Sequence, residues 1–358
     1  MTVIQLRDLF ATPTSTCFET SSWMVELGTD DHVVLDLAES DSQRGAASKL
    51  RLDTIRVSVL ANLISSLDAK VEIVLTLPDD DSLRRQLART PLLAVLASRV
   101  GVVLEHPQLA PWTSPWNPHD ASQLRQQLDA ADRSINPSQR YLLTLIAPHL
   151  RASQGVQREV RGIVDPWLGR RFIARGRSAE RSVAMRDLEQ SMAELTENVG
   201  DHAFPDDLER SPMSTAQLMT TAGGTDSVDR FRVIVMDNGI GLAKSVKRRR
   251  GDLNGATALL YALTGQLRHG DRGRGLPNVR NIVQRYEGSS FLLLTELFPE
   301  RSRSLAAFVD DRGEVVVNEV PLPLRGTLAV GQLAMPALAD IHPELFEPDD
   351  TELVMTVL

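Results

Sequence analysis

Glu194, Asn198 and His202 stand four residues apart. On an α-helix that spacing puts them on one face, with a rise of about 6 Å per step. A carboxylate there can orient or deprotonate an attacking hydroxyl, and an amide oxygen can ligate Mg²⁺ beside phosphates. Downstream, Asp237-Asn238-Gly239-Ile240-Gly241 ends an apolar run with an acid and then two glycines, which let the backbone turn away without steric penalty. Such an acid can accept a hydrogen bond from an exocyclic amine, adenine's among them. A third block, Gly273-Arg274-Gly275-Leu276-Pro277-Asn278, leads into another helical pattern. Proline fits the first helical turn, and the bare N–H groups there, with the positive end of the helix dipole, form an anion site. Each block alone has an ordinary reading: a polar helix face, an Asp-Asn-Gly turn, a flexible lead-in to a helix. In this order they describe a nucleotide site, with ATP as the ligand.

The blocks need elements to carry them. Met185, Leu188, Met192, Leu195 and Val199 follow steps of three and four, which predicts a long helix from about residue 178 to Val199 or just beyond. Residues 231–236 read as a strand. Val279, Ile282, Val283 and Tyr286 mark an amphipathic helix, and 291–297, 305–309 and 315–320 are further strands. Asp311-Arg312-Gly313 offers a tight hairpin turn between the last two. Helices on one face of a mixed sheet give an α/β two-layer sandwich.

The first part of the chain alternates strand and helix signals: strands at 33–37, 71–75 and 100–104, helices at 50–67 and 80–99. That order implies a smaller N-terminal α/β domain with a partly parallel sheet and crossover helices. Residues 107–118 hold four prolines with Trp112 and Trp116, a boundary composition. Residues 121–134 and 138–150, rich in Leu, Gln and Ala, read as helical. A linker, a dimerising pair and the front of the second domain all fit them. The division is therefore 1–118, 119–177 and 178–358.

The C-terminal half resembles the GHKL ATPases, the superfamily of DNA gyrase, mismatch-repair ATPases, heat-shock chaperones, sensor histidine kinases and anti-sigma-factor serine kinases. Glu194-x-x-x-Asn198 is similar to its N box, Asp237-x-Gly239-x-Gly241 to its first glycine box, and Gly273-x-Gly275-Leu276 to its second. Arg325-Gly326-Thr327 resembles its Gly-Thr box. The resemblance implies a GHKL-type two-layer sandwich that binds ATP and Mg²⁺. It implies Asn198 as the Mg²⁺ ligand, Asp237 on the adenine amino group with Thr327 assisting, and the backbone near Gly273, Arg274, Gly275 and Leu276 around phosphate. Glu194 would be the general base. The segment between the glycine boxes would form a long, moving ATP lid; its Lys244, Lys247, Arg248, Arg249 and Arg250 read first as a solvated charge run.

Histidine kinases place Asn where Glu194 stands and carry an upstream His acceptor helix, and no such motif is found here. Glu is shared by the hydrolysing ATPases and the anti-sigma kinases. His202 is similar to the serine-kinase pattern, and the long lid to the ATPase or histidine-kinase pattern. The leading expectation is a Mg²⁺-dependent ATPase whose nucleotide state controls a partner. The alternatives are an anti-sigma-type protein serine/threonine kinase and a non-catalytic ATP-binding module. The first hundred residues also resemble, at pattern level, the STAS domains of anti-sigma-factor antagonists. The loop 39–45 lacks their Asp-Ser-Ser-Gly string, so Ser40 and Ser42 read as parts of a solvated turn.

Composition narrows the classes. The 358 residues are 42% hydrophobic and 24% charged, as in a globular protein with ample core. Net charge is -8, so nucleic acid is not an indicated partner. Cys17 is the sole cysteine, which excludes an intrachain disulfide and makes a reducing compartment the expectation. No apolar run reaches membrane-spanning length, and no basic-then-apolar leader opens the chain. A cytoplasmic protein with a protein partner is expected, with a homodimer among the open assemblies.

Overall fold

The computed structural model describes residues 1–9, 24, 27, 32–38, 52–68, 70–78, 80, 83, 87, 90, 92, 95–96, 102–105, 112–113, 141–147, 179–203, 214–221, 228–250, 253–265, 275–298 and 303–336. It is a mixed α/β structure that divides into two compact units. One comprises residues 1–135, 300–302 and 321–324; the other comprises 136–299, 303–320 and 325–358.

In the first unit, β1 (Thr2–Gln5), β2 (His32–Asp36), β3 (Glu72–Thr76), β4 (Val102–Glu105) and β5 (Trp112–Thr113) lie in chain order in one sheet. β1 to β4 are mutually parallel, and β5 returns antiparallel to β4. Parallel neighbours need a crossover, and α1 (Thr54–Ser66) lies between β2 and β3 in the chain. Asp53 caps it by accepting from the Ile55 N–H at 2.9 Å. Every residue from Val57 to Ile64 is buried, so this helix is enclosed on more than one side. Leu83, Leu87, Leu92 and Leu96, inside the window read as a helix, are helical and buried.

The second unit is built on seven antiparallel strands in the order β11-β10-β9-β12-β8-β7-β6. These are β6 (Tyr141–Ala147), β7 (Ser214–Thr221), β8 (Val228–Asp237), β9 (Ser290–Phe298), β10 (Arg303–Asp310), β11 (Val315–Val320) and β12 (Thr327–Pro336). Its helices are α2 (Ala179–His202), α3 (Leu242–Arg250), α4 (Gly255–Thr264) and α5 (Gly275–Val283). Alternate strand residues point to one face. Phe231, Val233 and Val235, Phe291 and Leu293, Leu305, Ala307 and Val309, and Ala329 and Leu333 form one buried cluster with helix residues such as Leu195, Leu259, Val279 and Val283. The four helices therefore cover one face of the sheet. No helix among the described residues is long and apolar enough to cross a membrane.

The structure corrects the sequence reading in two places. Residues 138–150, read as helical, contain strand β6, paired with β7 at one end of the sheet. The run Tyr-Leu-Leu-Thr-Leu-Ile-Ala has no polar spacing to set a period, so pairing decides its conformation. The segment between the glycine boxes, expected to be one long loop, carries α3 and α4. α4 has its own N-cap, Asn254 accepting from the Thr257 N–H at 2.8 Å, and a left-handed C-cap at Gly265. Strand β7 was not foreseen; its polar run Ser214–Thr221 carries no alternation, and pairing with β6 and β8 makes it a strand.

Candidate functional site

Asp237 is the last residue of β8 and sits opposite Thr327, the first of β12. Its side chain is 4% exposed and accepts from the Gly239 N–H at 2.8 Å. Burial pushes its carboxyl up to about 7; the backbone N–H groups of Gly239 and Thr327 pull it down, and the nearby Glu296 charge adds to the rise. A buried acid at a strand end, its carboxyl pushed up by burial and facing a cleft, is a candidate functional position.

Glycines let several backbones converge on it. A Cβ on Gly239 would collide with the backbone of Ala203, just past the end of α2, where the Ala203 carbonyl accepts from the Ile240 N–H at 2.9 Å. Gly239 thus serves close packing of helix end against turn, whereas Gly241, at φ 77°, supplies the turn itself. Gly326, at φ 72°, lies hard against Asp237, where any side chain would clash with the carboxylate.

Two residues that the motif reading missed hold this corner. Glu296 on β9 is 2% exposed, yet its carboxylate accepts from the Gly326 N–H and from Arg325 Nη1, both at 3.2 Å. Its own N–H donates to the Gly326 carbonyl at 2.9 Å. Thr295 accepts from the Leu242 N–H at the start of α3 at 2.7 Å, and its Oγ1 donates to the Gly326 carbonyl at 3.3 Å. The available signal was the Thr-Glu pair interrupting the apolar run 291–298.

The phosphate-side residues meet through α2 and α5. Ideal Cβ placement on Gly275 falls 3.0 Å from both Asn198 Nδ2 and Glu194 Oε2, so the glycine lets the start of α5 seat directly on both side chains. Asn198 Nδ2 is buried with no hydrogen-bond partner among the described residues, an uncommon state that invites a ligand or solvent. Glu194 Oε1 accepts from Asn278 Nδ2 at 2.8 Å and, at 3.5 Å, from Gln190 Nε2.

A cleft with about 440 Å³ of empty space, much of it open to solvent, lies beside Asp237, Asn198 and the start of α5. Asn198, Asp237, Gly241, Leu276 and Thr327 line it, as does His202, while Leu195, Val199, Val235 and Leu293 give it apolar walls. The mix of apolar wall with a few polar groups suits a small-molecule ligand. The fold thus gathers Glu194, Asn198, Asp237, Gly239, Gly241, Gly275, Leu276 and Thr327 around one end of the sheet. Gly273, Arg274, Ser40, Ser42 and Cys17 lie outside the described residues, as does the helix read over 121–134. On α3, Lys244 and Arg248 are exposed. Among the described residues no three His, Cys, Asp or Glu side chains cluster as a metal site. Comparison of the sequence with protein-family models and with curated proteins finds no match to either.

Proposed function

We propose that this cleft binds ATP with Mg²⁺ and that Glu194 acts as general base in hydrolysis or in phosphoryl transfer to a protein hydroxyl. The observation that carries this is the convergence of a buried acid, an orphaned amide and a helix start on one apolar-walled cleft. Asp237 would accept from the adenine amino group, with Thr327 beside it. The apolar walls would hold the base ring. The N–H groups that open α5 would face phosphate, and the half-buried Asn198 would reach Mg²⁺ through its amide oxygen. Bound Mg²⁺ would neutralise phosphate charge as a Lewis acid. Glu194, held beside Gly275, stands where a water or a hydroxyl would approach. In keeping with this reading, the antiparallel sheet covered on one face by four helices fits a GHKL-type sandwich. The nucleotide state would then act on a protein partner, or on a second copy of the chain, through the α3–α4 segment.

Calorimetric titration with ATP–Mg²⁺ at pH 8, where Asp237 is ionised, tests the site. Asp237→Asn is expected to lose about 1.5–3 kcal/mol of binding. Glu194→Ala is expected to keep affinity within a few-fold while single-turnover product formation falls by about 10²–10⁴-fold. Equal affinity for wild type and Asp237→Asn would remove the adenine assignment. Labelled ATP separates the outcomes: free phosphate marks an ATPase, labelled protein a kinase, and binding without either a non-catalytic module.

A further inference from the structure

Asn278 is a polar residue on a half-buried face of α5, a helix otherwise committed to the core through Leu276, Val279, Ile282 and Val283. Packing alone does not call for an amide there. Its side-chain Nδ2 reaches across to α2 and donates to Glu194 Oε1 at 2.8 Å. The bond joins residues far apart in sequence, so it exists only when α5 is docked on α2. It also makes the two Glu194 oxygens inequivalent. Oε1 is engaged by Asn278, and by Gln190 at the longer 3.5 Å, whereas Oε2 stands over Gly275 at the start of α5, where the described residues give it no hydrogen bond.

We propose that Asn278 is the positioning residue of Glu194: it fixes the carboxylate so that Oε2 faces the phosphate end of the cleft. This rests on the nucleotide reading above and extends it to a residue outside those that line the cleft. A carboxylate without that bond rotates about its terminal torsion, which is broad and nearly two-fold. A base aimed only part of the time acts in proportion, because misplacement by about 1 Å can cost 10²-fold in rate.

The test uses the full chain, ATP–Mg²⁺ and four variants: Asn278→Ala, Asn278→Asp, Glu194→Ala and the double variant Asn278→Ala with Glu194→Ala. Single-turnover rate, ATP affinity and thermal midpoint are measured on each. Asn278→Ala is expected to lower the rate by about 10–100-fold with affinity within about threefold. Asn278→Asp keeps the shape but replaces the donor with a second negative group, so its loss should be at least as large. In the double variant the Asn278 change should add nothing to the Glu194 change, since the two act as one unit. Wild-type rate in Asn278→Asp would show that shape, not donation, is what the site requires, and would overturn the proposal. So would additive losses in the double variant, or a fall in rate only in step with affinity and melting. Absence of product and of labelled protein from the wild type would instead overturn the catalytic reading itself, and this proposal with it.

Discussion

The Asp237 carboxyl, raised to about 7 by burial, has a consequence for stability that can be measured apart from any ligand. An acid whose folded pKa lies above its unfolded value, here 3.8, holds its proton more tightly in the native state. Its favourable contribution is complete below the unfolded value and is lost as pH rises through about 7. Asp237→Asn removes the ionisation. The variant is therefore expected to gain about 2–3 kcal/mol over wild type on going from pH 5 to pH 8, read as the change in urea unfolding free energy. The same substitution is expected to weaken ATP binding, and opposite signs for stability and binding are the mark of a strained functional residue. A pH-independent difference between the two proteins would mean that the carboxyl ionises without hindrance.

At the scale of elements, the site depends on how α5 lies against α2. At the far end of the pair, Asp187 on α2, 3% exposed, accepts from Arg285 Nη1 at 2.7 and 3.0 Å and from the Tyr286 hydroxyl at 2.8 Å. Burial, with the hydrogen bond to Asp187 added to it, pushes the Tyr286 phenol above its usual range. At the near end, Gly275 leaves space for Glu194 and Asn198. Gly275→Ala separates helix stability from site geometry. Alanine in mid-helix is favoured by about 0.5–1 kcal/mol over glycine, but Gly275 opens α5 and its Cβ would meet two side chains, so the thermal midpoint should change little. The new methyl would press on both side chains at 3.0 Å, and turnover should fall by an order of magnitude or more. Wild-type turnover in this variant would show that the approach of α5 to Glu194 is incidental.

For the whole molecule, the two units make different expectations about where a nucleotide acts. The proposed ligand groups all belong to the second unit, on α2, α5 and the ends of β8 and β12. Hydrogen exchange with and without ATP–Mg²⁺ should show added protection in peptides covering 194–202, 235–242, 275–280 and 326–330. Peptides from β1 to β4 should be unchanged. Protection centred on 32–36 or 72–76 would move the nucleotide to the parallel sheet and out of this cleft.

Local pattern was enough for much of this. The three-and-four step over 185–199 could only be a helix, and once it is a helix Glu194, Asn198 and His202 share a face whatever surrounds them. Asp237 had to end a strand because an apolar run stops there and glycines follow. The alternation of strand and helix over the first hundred residues forced a partly parallel sheet, because parallel neighbours need crossovers. What the sequence left open depends on contacts distant in the chain. Strand β12 inserts between β8 and β9, and only that pairing puts Thr327 beside Asp237 and Gly326 under Glu296. Nothing near Asn278 in sequence announces a carboxylate partner on α2. Gly239 looked like a turn glycine, but the approach of the Ala203 backbone is what excludes a side chain there. The run 141–147 carries no period of its own and became a strand because β7 offered an edge to pair with. Periodicity, caps and turns are written in neighbouring residues. Burial, ion pairing and register arise only when distant segments meet, and they decided which polar groups became a site.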